Sequence, residues 1–183
     1  MAPMTASAPE AALAEAIGLY NAGRREQAHA LCDRLLAHHG AHPAVDQLIA
    51  VLLQERGDAP AARRHVERSL AARPGHGPTL MIAALVYQDL REFDAAEAAL
   101  QQVLQQQPAH AAAAVNLGIV HLEQGRLDDA MQRFGQAYLQ RPETFGRIAH
   151  ALATPSTGAL WLELDALRAA LRDAAQTPSR LRR

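Results

Sequence analysis

The sequence predicts an all-α solenoid of stacked helical hairpins, and three observations lead to this fold class. First, residues recur with a period of 34, most clearly at Ala28, Ala62, Ala96 and Ala130. Second, 49% of the 183 residues are hydrophobic but only 4% are aromatic, so the core must consist mainly of alanine and leucine, which suits closely packed helices. Third, glycine and proline residues typical of turns recur with the same 34-residue period. A period of this length is the signature of an array of helical hairpins.

The period aligns each structural position of the predicted hairpin. Small residues fall where the two helices approach closely, at Ala16, Ala50, Ala84 and Gly118. Glycine falls at the hairpin turn in Gly23, Gly57 and Gly125, where Arg91 is the exception. Pro74, Pro108 and Pro142 close successive units, and Gly40 closes the first.

Eight helices follow from this register. The first helices of the hairpins are predicted over 9–22, 43–56, 77–90 and 111–124, and the second helices over 25–38, 59–72, 93–106 and 127–140. Pro43 and Pro78 support the register because each lies in the first turn of its helix, where the missing N–H does no harm. Short connections make the partners in each hairpin antiparallel.

Residues 9–142 resemble the tetratricopeptide-repeat family. The last unit matches best, with Leu117, Gly118, Gly125, Ala130, Phe134, Ala137 and Pro142 at the family's positions. The resemblance implies a right-handed superhelical solenoid of four hairpins, about 9–42, 43–76, 77–110 and 111–144, that presents a surface to a partner. Abundant alanine and arginine with no lysine are typical of a high-GC bacterial genome, so a bacterial source is expected.

Residues 143–175 are expected to form a C-terminal capping segment. Residues 144–152 could begin a fifth hairpin, the turn 154–158 interrupts it, and a last helix is predicted over about 159–174, capped by Ser156 or Thr157. One stripe of that helix contains Leu160, Leu164, Leu167 and Leu171, with Trp161 beside it. The alternative is that this helix occupies the groove of the array or a second subunit. Residues 1–8 and 176–183 are expected to be disordered.

The sequence favours no enzyme, cofactor or metal site. Lysine chemistry is excluded because the chain has none, and no nucleophile-elbow, phosphate-loop or zinc-protease motif occurs. His42, His76 and His110 share one repeat position, about 10 Å apart at helix packing distances, so they are interpreted as polar joints between repeats. His38 and His39 lack an acidic or thiol partner at a recognised spacing. Cys32 is expected to be a buried apolar residue.

Charge gives no indication of nucleic acid or membrane as a partner. The formal net charge is -1, from 18 basic and 19 acidic residues that are interspersed along the chain. No stretch approaches the roughly 20 apolar residues that cross a bilayer. The beginning of the sequence does not resemble a secretory signal, so a cytoplasmic location is expected.

The family's first helices line a concave groove, and on this chain they carry trios at i, i+4 and i+7. The predicted peptide-binding groove contains Leu13, Ile17, Tyr20, Gln47, Val51, Gln54, Met81, Leu85, Gln88, Val115, Asn116, Ile119 and Leu122. It is apolar with a glutamine stripe along one side, although some of these side chains could instead pack between helices. Of the residues with which chaperone-binding members clamp an acidic peptide, only Asn116 matches, so an acidic peptide is not expected.

These observations predict a non-enzymatic scaffold that binds an apolar or amphipathic protein segment in its groove. One alternative is a recognition domain of, or accessory to, a larger bacterial enzyme, because similar arrays precede such domains. A second alternative is a chaperone of secretion substrates, which such short arrays resemble in length. The oligomeric state is left open, and a homo-oligomer is compatible with the sequence.

Overall fold

The computed structural model describes residues 8–153 and 164–176, and the regular elements in these ranges are all helical. In chain order they are α1 (Ala8–Asn21), α2 (Arg25–His39), α3 (Pro43–Glu55), α4 (Ala59–Ala72), α5 (Gly77–Asp89), α6 (Phe93–Gln106), α7 (Ala111–Glu123), α8 (Leu127–Gln140), α9 (Phe145–Ala153) and α10 (Leu164–Gln176), with a 3-10 turn at Pro142–Thr144 before α9. The all-α prediction is confirmed. The eight hairpin helices begin and end within one residue of the predicted bounds.

The chain divides between Leu90 and Arg91 into two compact units, which are described separately. Unit 1, up to residue 90, contains α1 to α5, and unit 2, from residue 91, contains α6 to α10. The sequence predicts a single array, and the division lies within its third hairpin, between α5 and α6.

In unit 1 the helices pack as two hairpins followed by α5. Helix α1 packs on α2 and α3 packs on α4, while α3 also contacts α1 and α5. The core is small-residue and aliphatic, as the composition requires: Ala16, Ala28, Cys32, Val45, Ile49, Leu52 and Ala62 are all at most 2% exposed. Cys32 is fully buried, which confirms the prediction of a buried apolar residue, and this burial raises the pKa of its thiol to about 11.

A buried carboxylate ties α4 to α3. Asp46 is 1% exposed, yet its Oδ1 accepts hydrogen bonds from the Arg68 guanidinium and lies 2.8 Å from His65 Nδ1. Ser69, also buried, donates to the Pro43 carbonyl at 2.9 Å. A buried charge is tolerated only with such partners, so this cluster fixes the register of the second hairpin. The 34-residue period gives no indication of this cluster.

In unit 2, α7 packs on α8 and on α6, and α10 packs on α8. Phe134 is fully buried and fills the space beside Gly118, where an added β-carbon would lie 2.6 Å from Phe134 Cδ1. Ala96 and Ala130 are fully buried, like Ala28 and Ala62 in unit 1. The prediction of close helix approach at these repeat positions is therefore confirmed.

The hairpin turns share one backbone conformation. Gly23, Gly57 and Gly125 have φ of +75°, +80° and +73°, in the left-handed region that favours glycine. Each turn closes with two backbone hydrogen bonds, such as Gly57 N–H to Gln54 O at 2.9 Å and Asp58 N–H to Leu53 O at 2.9 Å. Arg91 takes the same conformation, with φ of 59°, at the cost that a side chain imposes there.

The C-terminal helices differ in detail from the predicted segment. Helix α9 begins at Phe145, as the possible fifth hairpin suggested. The predicted caps Ser156 and Thr157, and Leu160 and Trp161 of the predicted stripe, lie outside the described residues. Of the predicted apolar stripe, Leu167 and Leu171 are buried within unit 2, whereas Leu164 is 52% exposed.

Candidate functional site

The first helices of unit 1 carry the part of the predicted groove that remains accessible. Ile17 on α1, Val51 on α3 and Leu85 on α5 share one repeat position. Ile17 is 44% exposed, and Val51 and Leu85 are half-buried. Because α3 contacts both α1 and α5, these side chains lie on three neighbouring helices. We call Ile17, Val51 and Leu85, with the half-buried Leu13 and Met81, the apolar face of unit 1.

Tyr20 borders this face but is already held by polar contacts. Its hydroxyl donates to Glu55 Oε1 at 2.6 Å, and the Arg25 guanidinium lies 5.6 Å from its ring centroid. Arg25 Nε also donates to Glu55 Oε2 at 2.5 Å. The hydrogen bond to Glu55 raises the pKa of Tyr20, and Arg25 together with Tyr20 lowers the pKa of Glu55. This cluster joins the ends of α1 and α3, so we assign Tyr20 a structural role at the edge.

Two of the three glutamines on unit 1's first helices join helices to one another. Gln54 Nε2 donates to Asp89 Oδ2 at 3.0 Å, which links α3 to α5. Gln47 Oε1 accepts from Thr79 at 3.3 Å and from Arg73 at 3.2 Å. These amides are therefore partly used within the fold, and the predicted glutamine stripe is chiefly a set of interhelical bonds.

The predicted groove residues of α7 in unit 2 are mostly not accessible. Val115, Asn116 and Leu122 are 0%, 3% and 4% exposed, and Ile119 is half-buried against the same core. The prediction that these side chains line an open groove is wrong for the three buried ones.

The physical reason for this burial is α9. Ile148 and Leu152 belong to the same core cluster as Val115 and Leu122, and Arg147 Nη2 donates to Asn116 Oδ1 at 2.5 Å. Helix α9 thus covers α7 in unit 2 as a further first helix would. The periodicity could not reveal this, because residues after Pro142 depart from the repeat.

Acidic residues that were not predicted as part of the site border the apolar face. Glu55 and Asp89 are the last residues of α3 and α5, four residues after Val51 and Leu85, and both are exposed. Residues four apart share a helix face, so each carboxylate lies beside an apolar-face residue. Their 34-residue spacing was the signal that could have revealed them.

The repeat histidines lie at the starts of the first helices, and His76 and His110 contact the helix that each precedes; that they join neighbouring repeats remains a prediction. His76 Nδ1 lies 2.9 Å from Thr79 Oγ1, and His110 Nδ1 accepts from the Ala113 N–H at 3.1 Å, each at the start of a first helix. His42 occupies the N-cap position of α3. Within the described part of the chain no three histidine, cysteine, aspartate or glutamate side chains converge to hold a metal ion.

His121 is a buried titratable group in unit 2. It is 4% exposed, and its Nε2 lies 3.3 Å from Glu97 Oε1, while Arg126 Nη2 donates to Glu97 Oε2 at 2.5 Å. Burial, followed by the charge of Arg126, lowers the pKa of His121 despite the opposing effect of Glu97. His121 therefore packs as a neutral core residue, and we assign it no catalytic role.

None of the helices in the described ranges is long and apolar enough to span a membrane. The apolar surface of interest is instead a face shared by three short helices.

Comparison with known proteins identifies the repeat. Two family models, each described as a tetratricopeptide repeat, match residues 50–68 and 83–144. Among curated proteins, none matches this sequence.

Several solved structures share the fold. MamA from Desulfovibrio magneticus RS-1 is 18% identical with a TM-score of 0.68, over 74% of this chain and 76% of that chain. TTC0263, a thermophilic TPR protein in Thermus thermophilus, is 22% identical with a TM-score of 0.67, over 91% and 98%. A further crystal structure of MamA is 15% identical with a TM-score of 0.67, over 93% and 92%. At these identities the likeness shows the fold alone.

Proposed function

This chain is a tetratricopeptide-repeat protein, and from that premise we propose that it is a non-enzymatic interaction module that binds an apolar or amphipathic segment of a partner protein. Such repeats are scaffolds whose function depends on the surface they present. We propose the apolar face of unit 1 as the binding surface. A cytoplasmic location remains a prediction.

The observation that carries the proposal is the recurrence of accessible apolar side chains on neighbouring helices. Ile17, Val51 and Leu85 occupy the same repeat position on α1, α3 and α5, and each is in contact with solvent. A partner helix that lays its apolar stripe on such a face buries them together. In unit 2 the corresponding position is held by Ile119, which packs against the core, so unit 1 is the better binding site.

The free energy gained by burying the apolar face limits the binding affinity that the face can provide. Complete burial of a valine, leucine or isoleucine contributes roughly 1.5–3 kcal/mol, and these side chains are already about half-buried, so each adds roughly 1 kcal/mol. Micromolar affinity needs about 8.2 kcal/mol. The five residues of the apolar face therefore support weak binding by themselves, and a tighter complex needs additional polar contacts with the partner.

Partner capture by matched variants tests the proposal. The immobilised protein, Ile17→Asp, Leu85→Asp and the control Leu139→Asp are compared for the proteins they retain from a lysate of the source cells. Leu139 is a suitable control because it is 54% exposed and lies on α8, a helix of unit 2. We expect the two apolar-face variants to lose a protein that the wild type and Leu139→Asp retain. Circular dichroism of each variant checks that helicity is intact, and retention of the same proteins by all four forms contradicts the proposal.

A further inference from the structure

The first helices of unit 1 are acidic, whereas its second helices carry the basic residues. Helices α1, α3 and α5 contain aspartate or glutamate but no arginine, and the whole chain has no lysine. Helices α2 and α4 contain Arg25, Arg34, Arg63, Arg64 and Arg68. The helices that carry the apolar face therefore contribute no basic side chain, and the arginine beside Glu55 at the edge of the face, Arg25, belongs to α2.

Of the three carboxylates on α3 and α5, Asp89 is the one without a cationic partner among the described residues. It is the last residue of α5, where a negative charge opposes the helix macrodipole and is unfavourable. It is exposed, and its one partner among the described residues is the neutral amide of Gln54, at 3.0 Å. Glu55 occupies the same position on α3 but is compensated by Arg25 at 2.5 Å and by the Tyr20 hydroxyl.

The position of Asp89 connects this charge to the proposed binding surface. Asp89 follows Leu85 by four residues and therefore lies on the same face of α5. Its bond to Gln54 also holds the carboxylate on the side of α5 that faces α3. A ligand lying on Leu85 and Val51 passes directly beside this carboxylate.

We propose that the partner segment is amphipathic and basic: it places apolar side chains on Ile17, Val51 and Leu85 and an arginine or lysine against Asp89. This inference rests on the proposed function and names the chemistry of the partner. A cation opposite Asp89 supplies the charge that the C-terminal end of α5 lacks and adds a polar contact to the modest apolar energy of the face. An acidic segment is disfavoured there because it would meet both Asp89 and Glu55.

Two synthetic peptides provide the test. The first is a helical peptide of about 18 residues, long enough for five turns, with leucines at i, i+4 and i+7 and arginines along one edge of that stripe. The second has glutamine in place of every arginine. Fluorescence anisotropy of the labelled peptides gives their dissociation constants for the full chain. We expect the arginine peptide to bind up to about fivefold more tightly, the range for an exposed ion pair, and the preference to diminish in high salt.

Variants of unit 1 show which carboxylate is responsible for the tighter binding of the arginine peptide. Asp89→Asn should reduce the ratio of the two dissociation constants to about one, since a single exposed pair accounts for it. Glu26→Gln, which removes an exposed carboxylate from α2, should leave the ratio unchanged. A third peptide carries glutamate in place of every arginine. Asp89→Arg should bind this glutamate peptide more tightly than the arginine peptide, which is the reverse of the order expected for the wild type.

The outcomes separate this inference from the proposed function. Equal binding of the arginine and glutamine peptides, with both lost in Leu85→Asp, overturns the basic partner and keeps the apolar face. An arginine preference that persists in Asp89→Asn overturns the assignment to Asp89. Binding that survives Leu85→Asp contradicts the apolar face itself, and no binding of either peptide at about 1 mM, an affinity of about 4.1 kcal/mol, contradicts both.

Discussion

Among single residues, Arg91 stands at a hairpin-turn position where the other hairpins have glycine. It adopts φ of 59°, and its guanidinium lies 5.1 Å from the Phe93 ring centroid and 3.9 Å from Glu123. A side chain in the left-handed region costs about 1–2 kcal/mol relative to glycine. The two contacts offset part of this cost.

We therefore predict that Arg91→Gly is more stable than Arg91→Ala by about 1 kcal/mol, because both variants lose the side-chain contacts but only glycine relieves the backbone. Urea denaturation of the two variants gives the difference directly. The reverse substitution at an equivalent turn, Gly125→Ala, should destabilise the protein because Gly125 has φ of +73°. An added β-carbon there meets no atom within 4 Å, so the cost comes from the backbone conformation alone. Equal stability of Arg91→Gly and Arg91→Ala would show that the turn is not strained.

His121 makes stability depend on pH. Its folded pKa lies below the ordinary value of 6.5, so the folded state binds the proton less readily than the unfolded chain does. The stability that neutral His121 contributes is fully present above about pH 6.5 and is lost as the pH falls through the lower, folded pKa. The pKa of His76 in unit 1 is also lowered, chiefly by burial, and acts in the same direction.

His121→Leu should therefore reduce the loss of stability between about pH 7.5 and pH 5, because leucine does not titrate, whereas the contribution of His76 remains. Leucine already occupies the equivalent repeat positions Leu19 and Leu53. Chemical denaturation at several pH values measures the slope. A variant with the slope of the wild type would exclude His121 as its source.

The structural role of a residue was predictable at positions that recur every 34 residues. It was not predictable at positions where the role depends on a single tertiary contact. The alanines at the helix contacts and the glycines at the turns follow from the 34-residue period, and both sets are confirmed. Asp46 was missed because nothing in its local sequence shows that Arg68 and His65 approach it from the next helix. Val115 was misjudged because its burial depends on α9, which lies outside the repeat.

At the scale of elements, the attachment of α10 depends on a glycine. A β-carbon added at Gly135 would collide with the Leu171 carbonyl oxygen and would lie 2.8 Å from the Ala175 amide nitrogen. Both are backbone atoms of α10, so they cannot move without moving the helix. Leu167 and Leu171 are buried by this contact, and Arg168 lies 4.3 Å from the Phe145 ring centroid.

Gly135→Ala should displace α10 from α8 and cost about 1–3 kcal/mol, the range for overpacking a close contact. Hydrogen exchange of α10 amides should accelerate while that of α1 to α4 stays unchanged. Gly146→Ala is the matched control, because a β-carbon there meets no atom within 4 Å. Unchanged exchange in α10 would mean that the helix does not depend on this contact.

The bounds of the hairpin helices were predictable because proline, glycine and apolar spacing all repeat. The packing of α10 was not, since amphipathic spacing shows that a helix has an apolar side but not which helix that side contacts. The structure places α10 on α8 within unit 2. That it caps the array remains a prediction, tested by truncation after Pro155, which should expose the surface buried by Leu167 and Leu171 and promote association in light scattering.

For the molecule as a whole, we propose that function resides in the apolar face of unit 1. The face combines Ile17, Val51 and Leu85 with an acidic border at Asp89, so binding should combine apolar contact with at most one exposed charge pair. Raising the salt concentration should weaken binding by less than tenfold, because a single exposed ion pair contributes at most about 1 kcal/mol. A larger salt effect would indicate a more highly charged interface.

Hydrogen exchange of the protein with and without its captured partner shows which helices the partner covers. Binding at the apolar face should slow amide exchange in α1, α3 and α5, and the effect should be absent in Leu85→Asp and present in Leu139→Asp. Protection confined to α4 around Arg63, Arg64 and Arg68, with α1, α3 and α5 unchanged, would place the binding site on the basic second helices and exclude the apolar face of unit 1.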